Sequence, residues 1–153
     1  MTSQNYVFNK KSILQVATLC IITVGLYVVF RLWSLTKNLN PHICKPIPHW
    51  FSITAISVHL LSFFSLICFF VLSDSSQILI FSKVMHLISS IFHVVWLLKI
   101  RNRINSFTNA RNDDLYWLNP FLSSFLHVIY IQYKINLFHK SARLTFKNNA
   151  QNC

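Results

Sequence analysis

Four histidines sit where ionisable side chains are rare. His59, His86, His93 and His127 fall inside long apolar stretches. An ionisable group in such surroundings faces protein or water, and it marks either a function or a hydrogen-bonded seam. Serines accompany them at helical spacing. Ser82, His86, Ser89, Ser90 and His93 share one helix face, and Ser52, Ala55, His59 and Ser62 share one face of the preceding helix. Folding the two helices back about residues 74–76 sets His59 opposite His93, Ser62 opposite Ser89 and Ser65 opposite His86. A seam of His59, Ser62, Ser65, His86, Ser89 and His93 is open to three chemistries. The plainest is interhelical hydrogen bonding, at about 0.6–2 kcal/mol per bond, in a helix pair with no GxxxG motif to pack on. The second is a proton or ion path. The third is bis-His ligation of a haem or metal, disfavoured because no second His pair sits at another depth.

Other chemistry has little to work with. The three carboxylates, Asp74, Asp113 and Asp114, all fall in polar loops, and the last two are placed to cap the final helix. There is no metal-protease, phosphate-loop, paired-carboxylate or nucleophile motif, so neither an enzyme nor a cofactor is expected. Cys20, Cys44, Cys68 and Cys153 form no C-x-x-C pair, which reads as free thiols rather than a disulfide framework or a zinc site. The net charge of +11 comes from 14 Lys and Arg against 3 acidic residues. Those cations flank apolar runs instead of lining one polar face, which argues against nucleic acid and for a membrane protein with a basic cytoplasmic side.

The elements that must position these residues are apolar helices. A chain of 153 residues, 54% apolar and 11% charged, reads as one all-α membrane domain over 1–153, with a loose N-terminus at 1–11 and a basic tail at 139–153. Residues 48–73 and 77–100 are each long enough to cross a hydrocarbon core of roughly 30 Å. Two further apolar regions, 13–36 and 115–138, are either full spans or bent, re-entrant hairpins. Lys10 and Lys11 before the first region give it the look of a signal peptide, but no Ala-x-Ala cleavage site follows, so it is expected to stay. Gly25 marks a bend in it and Pro41 its end. Residues 101–114 read as a polar loop, and Asp74 or Ser75 as a helix cap. Trp33, Trp50, Trp96, Trp117, Tyr116, Tyr130 and Tyr133 lie near the ends of apolar regions, as an interfacial belt would.

Charge chooses between spans and hairpins. Four straight spans put six basic residues on one side (Lys10, Lys11, Lys134, Lys140, Arg143, Lys147) and seven on the other (Arg31, Lys37, Lys45, Lys99, Arg101, Arg103, Arg111). That is no bias, whereas membrane proteins carry one. If only 48–73 and 77–100 cross, all thirteen become cytoplasmic and the acidic 73–76 turn lies outside. Both termini are then cytoplasmic, and the bends are tolerated where protein buries them.

Residues 23–33 return twice in altered form, at 89–99 and 123–133. Each copy starts with a small hydroxyl residue, carries Tyr or His four residues on (Tyr27, His93, His127), and ends in an aromatic, basic, Asn-containing segment. Thr23-Val24-Gly25-Leu26-Tyr27, leading through Phe30 and Arg31 to Trp33, resembles the signature of a family of small bacterial membrane proteins, the domain-of-unknown-function family numbered four-two-three-four. Gln132 and Asn136 match the Gln and Asn near the end of that family's last repeat. The resemblance is best over 13–40 and 115–138 and finds no counterpart for 48–76. The second and third copies lack the Gly and Tyr. The resemblance implies a multi-pass protein of a bacterial inner membrane, with no catalytic residue to carry over. The expected role is a structural or interaction module in the lipid bilayer, self-associating or joined to a larger complex. The alternative is a small transport or channel component using the His/Ser seam.

Overall fold

The computed structural model describes residue 8, residues 10–71 and residues 76–151, with side chains to residue 141. Capping by Asp74 or Ser75, the 73–76 turn as a whole, Cys153, most of the loose N-terminus and the side chains of the basic tail beyond residue 141 lie outside the described residues. Within them the chain is all-helical: α1 (Ile13–Ile22), α2 (Leu26–Leu39), α3 (His49–Val71), α4 (Ser76–Thr108) and α5 (Pro120–Gln151), with a single 3-10 turn at Asn40–His42 around Pro41. The helices divide into two compact units, Ile47–Trp96 and Met1–Pro46 with Leu97–Cys153.

In the second of these units α1 and α2 form a hairpin. Thr23 serves both of them: its hydroxyl donates to the Leu19 carbonyl at 2.7 Å and accepts the Tyr27 N–H at 2.9 Å. The Val24 N–H donates to the Ile21 carbonyl and the Gly25 N–H to the Cys20 carbonyl, closing α1 in the manner of a Schellman end. That closure needs left-handed backbone, with φ 50° at Val24 and 88° at Gly25. Glycine adopts it without a Cβ penalty; a β-branched valine does not. α1 and α2, of 10 and 14 residues, are about 15 and 21 Å long, and both pack on α5.

Residues 115–138 are bent as well. α5 opens at Pro120, whose ring suits a first helical turn. The Asn119 side chain caps it, accepting the N–H of Phe121 at 2.9 Å and of Leu122 at 3.3 Å. Asp113 and Asp114 therefore do not cap this helix. They lie too far before its start, and Asp114 instead accepts the Arg111 N–H at 2.7 Å within the loop. At His127 the backbone leaves the helix, with φ 48° and ψ −137°. Beyond it the chain doubles back: Tyr130 OH accepts the Asn119 N–H at 3.3 Å, Lys134 Nζ donates to the Leu115 carbonyl at 2.6 Å, and the Phe138 ring lies 5.6 Å from that of Tyr116. The bend expected at Gly25 has a counterpart here, although residues 115–138 contain no glycine.

The ends of these segments gather around Phe107. Phe8, 3% exposed, meets its ring edge-on at 5.7 Å, and His42 lies 6.2 Å from the same ring. His139 on α5 shares a 2.8 Å hydrogen bond with the Phe8 carbonyl. Phe107 is available because α4 runs through Thr108, which corrects the expected loop at 101–114. No Gly or Pro interrupts residues 101–108, Ile100 and Ile104 are buried, and the helix stops only at Asn109, where φ is 51°. Asparagine tolerates that backbone.

In the unit Ile47–Trp96 the usual distribution of polarity is inverted. The buried positions of α3 are mostly small or polar: Ser52, Ala55, Ser62 and Ser65 beside Phe51. Large apolar side chains face outward, with Phe64 62%, Leu87 65% and Ile91 57% exposed. α3 and α4 are long and apolar enough to cross a membrane. Two of the seven belt aromatics depart from expectation: Trp96 and Tyr130 are buried within α4 and α5, helices that run on past them.

The α1–α2 turn makes a separable prediction. Gly25→Ala forces a Cβ into left-handed backbone and should cost about 1 kcal/mol, although no atom lies within 4 Å of the new Cβ. Val24→Asn at the neighbouring left-handed position should leave stability unchanged or raise it. Unfolding of both variants in detergent, with equal losses, would contradict this account of the turn.

Candidate functional site

The structure brings the seam residues together in a register one helical turn from that expected. His59 Nδ1 and Ser89 Oγ share a hydrogen bond at 3.0 Å, Ser62 Oγ and His86 Nδ1 share one at 2.8 Å, and Ser65 Oγ approaches Ser82 Oγ at 3.5 Å. Each α3 residue thus meets an α4 residue one turn earlier than the sequence pairing placed it. α3 ends at Val71 and α4 begins at Ser76. His93 still reaches His59, with the rings 6.3 Å apart.

These contacts define what the seam does chemically. Ser65 donates first to the Ser62 carbonyl at 2.7 Å, and the imidazoles pair with hydroxyls across the helix interface. Each such pair satisfies two polar groups among apolar neighbours, where an unmet group costs about 1–3 kcal/mol. Among the described residues no group of three or more His, Cys, Asp or Glu is arranged to hold a metal ion. Cys20, Cys44 and Cys68 are free thiols.

The repeat-signature residues lie in the other unit, His93 excepted, and there they form a second polar system. Arg31, 2% exposed, donates through Nη2 to Gln132 Oε1. Gln132 Nε2 donates to Asn136 Oδ1 at 3.0 Å, and Asn136 Nδ2 donates to the Lys11 carbonyl at 2.8 Å. Lys11 Nζ returns to Tyr27 OH at 3.3 Å and lies 5.8 Å from that ring's centroid. One face of α5 therefore holds both the start of α1 and the middle of α2. Thr23 and Gly25 build the turn at the far end, and His127 is the break in α5.

Arg31, counted from the sequence among the cations that flank apolar runs, is instead a buried hydrogen-bonding partner. Its position inside the apolar run 26–35 was the available signal, since a buried guanidinium requires acceptors. A third cluster was also missed. Arg101 Nε donates to the Leu118 carbonyl at 2.8 Å with its guanidinium 5.4 Å from the Trp117 ring, and the Asn105 amide both donates to that carbonyl and accepts the Leu118 N–H. These residues hold the start of α5 against the end of α4.

The seam register can be checked by cross-linking. In a cysteine-free background, Ser65→Cys with Ser82→Cys should oxidise to a disulfide faster than Ser65→Cys with His86→Cys. Faster bridging of the second pair would restore the register expected from the sequence.

No curated protein and no solved structure matches this chain. A family model does, over residues 11–106. The match takes in α1, α2 and residues 13–40, ends before 115–138, where the resemblance also placed a counterpart, and covers 48–76, where it placed none. With well over half its length matched, the chain belongs to the family described as Domain of unknown function (DUF4234).

Proposed function

We propose that this chain is a multi-pass integral membrane protein of a bacterial inner membrane, acting as a structural or interaction module without catalytic activity. α3 and the apolar part of α4 cross the bilayer. The α1–α2 hairpin and the bent α5 start and finish on the cytoplasmic side, with both termini there. The observation that carries this reading is the meeting of Phe8 and His42 at Phe107. Had residues 13–36 crossed straight, those two residues would stand about 30 Å apart on opposite sides. Hairpins also bring thirteen basic residues to one side, the bias expected of a membrane protein.

The inverted polarity of Ile47–Trp96 supports the bilayer as solvent. Each Leu or Phe left in water forgoes about 1.5–3 kcal/mol of burial, and in lipid that cost vanishes. The apolar outer faces of α3 and α4 then suit lipid, a second copy or a larger membrane complex. A transport role for the His/Ser seam is the second reading, and the alignment of His59, His86 and His93 along one interface favours it. The pairing of those rings and hydroxyls with one another supports the structural role instead, because a conducting path needs polar groups facing water.

Thiol labelling tests the topology. Cys44 is exposed in the loop after α2. A membrane-impermeant reagent applied to intact cells should miss Cys44 and Ser106→Cys and should reach Ser76→Cys at the start of α4. Labelling of Cys44 from outside, with both termini inside, would replace the hairpins by four spans.

A further inference from the structure

We infer that the cleft between the start of α1 and α5 is a binding site for the phosphate headgroup of an anionic glycerophospholipid. The cleft has a volume of about 270 Å³ and is lined by Lys10, Ile13, Tyr133, Leu137, His139 and Lys140. Its chemistry is divided. Lys10 and Lys140 are exposed and engage no other group among the described residues, so two ammonium groups flank one opening. Ile13 and Leu137 supply apolar wall, and Tyr133, 44% exposed, offers a ring and a hydroxyl. A free phosphate would use only the polar part. A ligand with a phosphodiester at one end and acyl chains at the other would use both parts.

The cleft is also built rather than incidental. Asn136, between Tyr133 and Leu137 on α5, is fastened to the Lys11 carbonyl and to Gln132. His139 is held through Nε2 by the Phe8 carbonyl. These bonds tie the α1 side of the cleft to the α5 side, so the two lysines come from segments already locked together. This chain has 14 basic and 3 acidic residues, and a basic pocket at a cytoplasmic membrane surface is suited to anionic headgroups, which attract each nearby Lys. The inference rests on the membrane reading above.

The test uses the full chain in uncharged detergent, where binding does not depend on topology; thiol labelling and membrane fractionation judge the membrane reading separately. Dihexanoyl-phosphatidylglycerol should bind saturably, and dihexanoyl-phosphatidylcholine and inorganic phosphate more weakly. Lys10→Gln with Lys140→Gln should weaken the phosphatidylglycerol affinity by roughly tenfold or more, and the double Lys→Arg variant should retain it. Ile13→Trp, which fills the cleft and keeps both lysines, should weaken it too. Lys37→Gln with Lys45→Gln removes two exposed lysines elsewhere and should leave it nearly unchanged. The proposal is overturned if the Lys10/Lys140 variant binds like the original chain, if the Lys37/Lys45 variant loses as much, or if inorganic phosphate competes as well as the lipid does.

Discussion

One hydrogen-bonded chain holds this protein's less obvious half together. Arg31, Gln132, Asn136 and the Lys11 carbonyl run in sequence across α2, α5 and the start of α1. A guanidinium taken out of water costs several kcal/mol, and a charge-assisted bond to an amide returns about 1.5–3 kcal/mol. The arginine therefore has to be where Gln132 is. Asn136, one turn further along α5, does the same for the backbone just before α1. With both legs of the hairpin fastened to one helix, the left-handed turn at Val24 and Gly25 follows as the way to join them.

The polar seam of the other unit applies the same constraint to a different problem. Two helices with apolar outer faces gain little from burying more apolar surface against each other if lipid surrounds them. What distinguishes their mutual face is His59, Ser62 and Ser65 meeting Ser89, His86 and Ser82. Hydroxyl–imidazole pairs set the register there, as amides and guanidinium set it in the hairpins. In both units the specific information lies in polar side chains, while the apolar ones set only which way a helix faces.

Much of this was legible in the sequence, for identifiable reasons. Length and apolar composition located α3 and the start of α4 to within a few residues, because hydrophobic runs bounded by polar turns have few other readings, but they ended α4 at residue 100 where the helix continues to Thr108. Gly25 and Pro41 located the bend and end of the first region through backbone rules that hold in any surroundings. Helical periodicity of 3.6 residues puts His59, Ser62, Ser65, Ser82, His86 and Ser89 on facing sides, but it also includes Ser90, which is exposed and bonds within its own helix, and it does not fix the register. The partners of Arg31 and Arg101 were not legible, because Gln132 and the Leu118 carbonyl are 101 and 17 residues away along the chain. The break at His127 carries no Gly or Pro, so nothing local announced it; the contacts of Leu115, Tyr116 and Asn119 with residues 130–138 define it.

The central claim is that residues 13–36 return to the side from which they start. The most direct measurement is the distance between two spin labels, one at Lys10→Cys and one at the native Cys44, with the other cysteines replaced and the protein in a lipid nanodisc. Because Phe8 and His42 both touch Phe107, the account predicts a separation well short of the roughly 30 Å hydrocarbon thickness. A distribution centred at or beyond that thickness would mean that the segment crosses the membrane and would contradict the account.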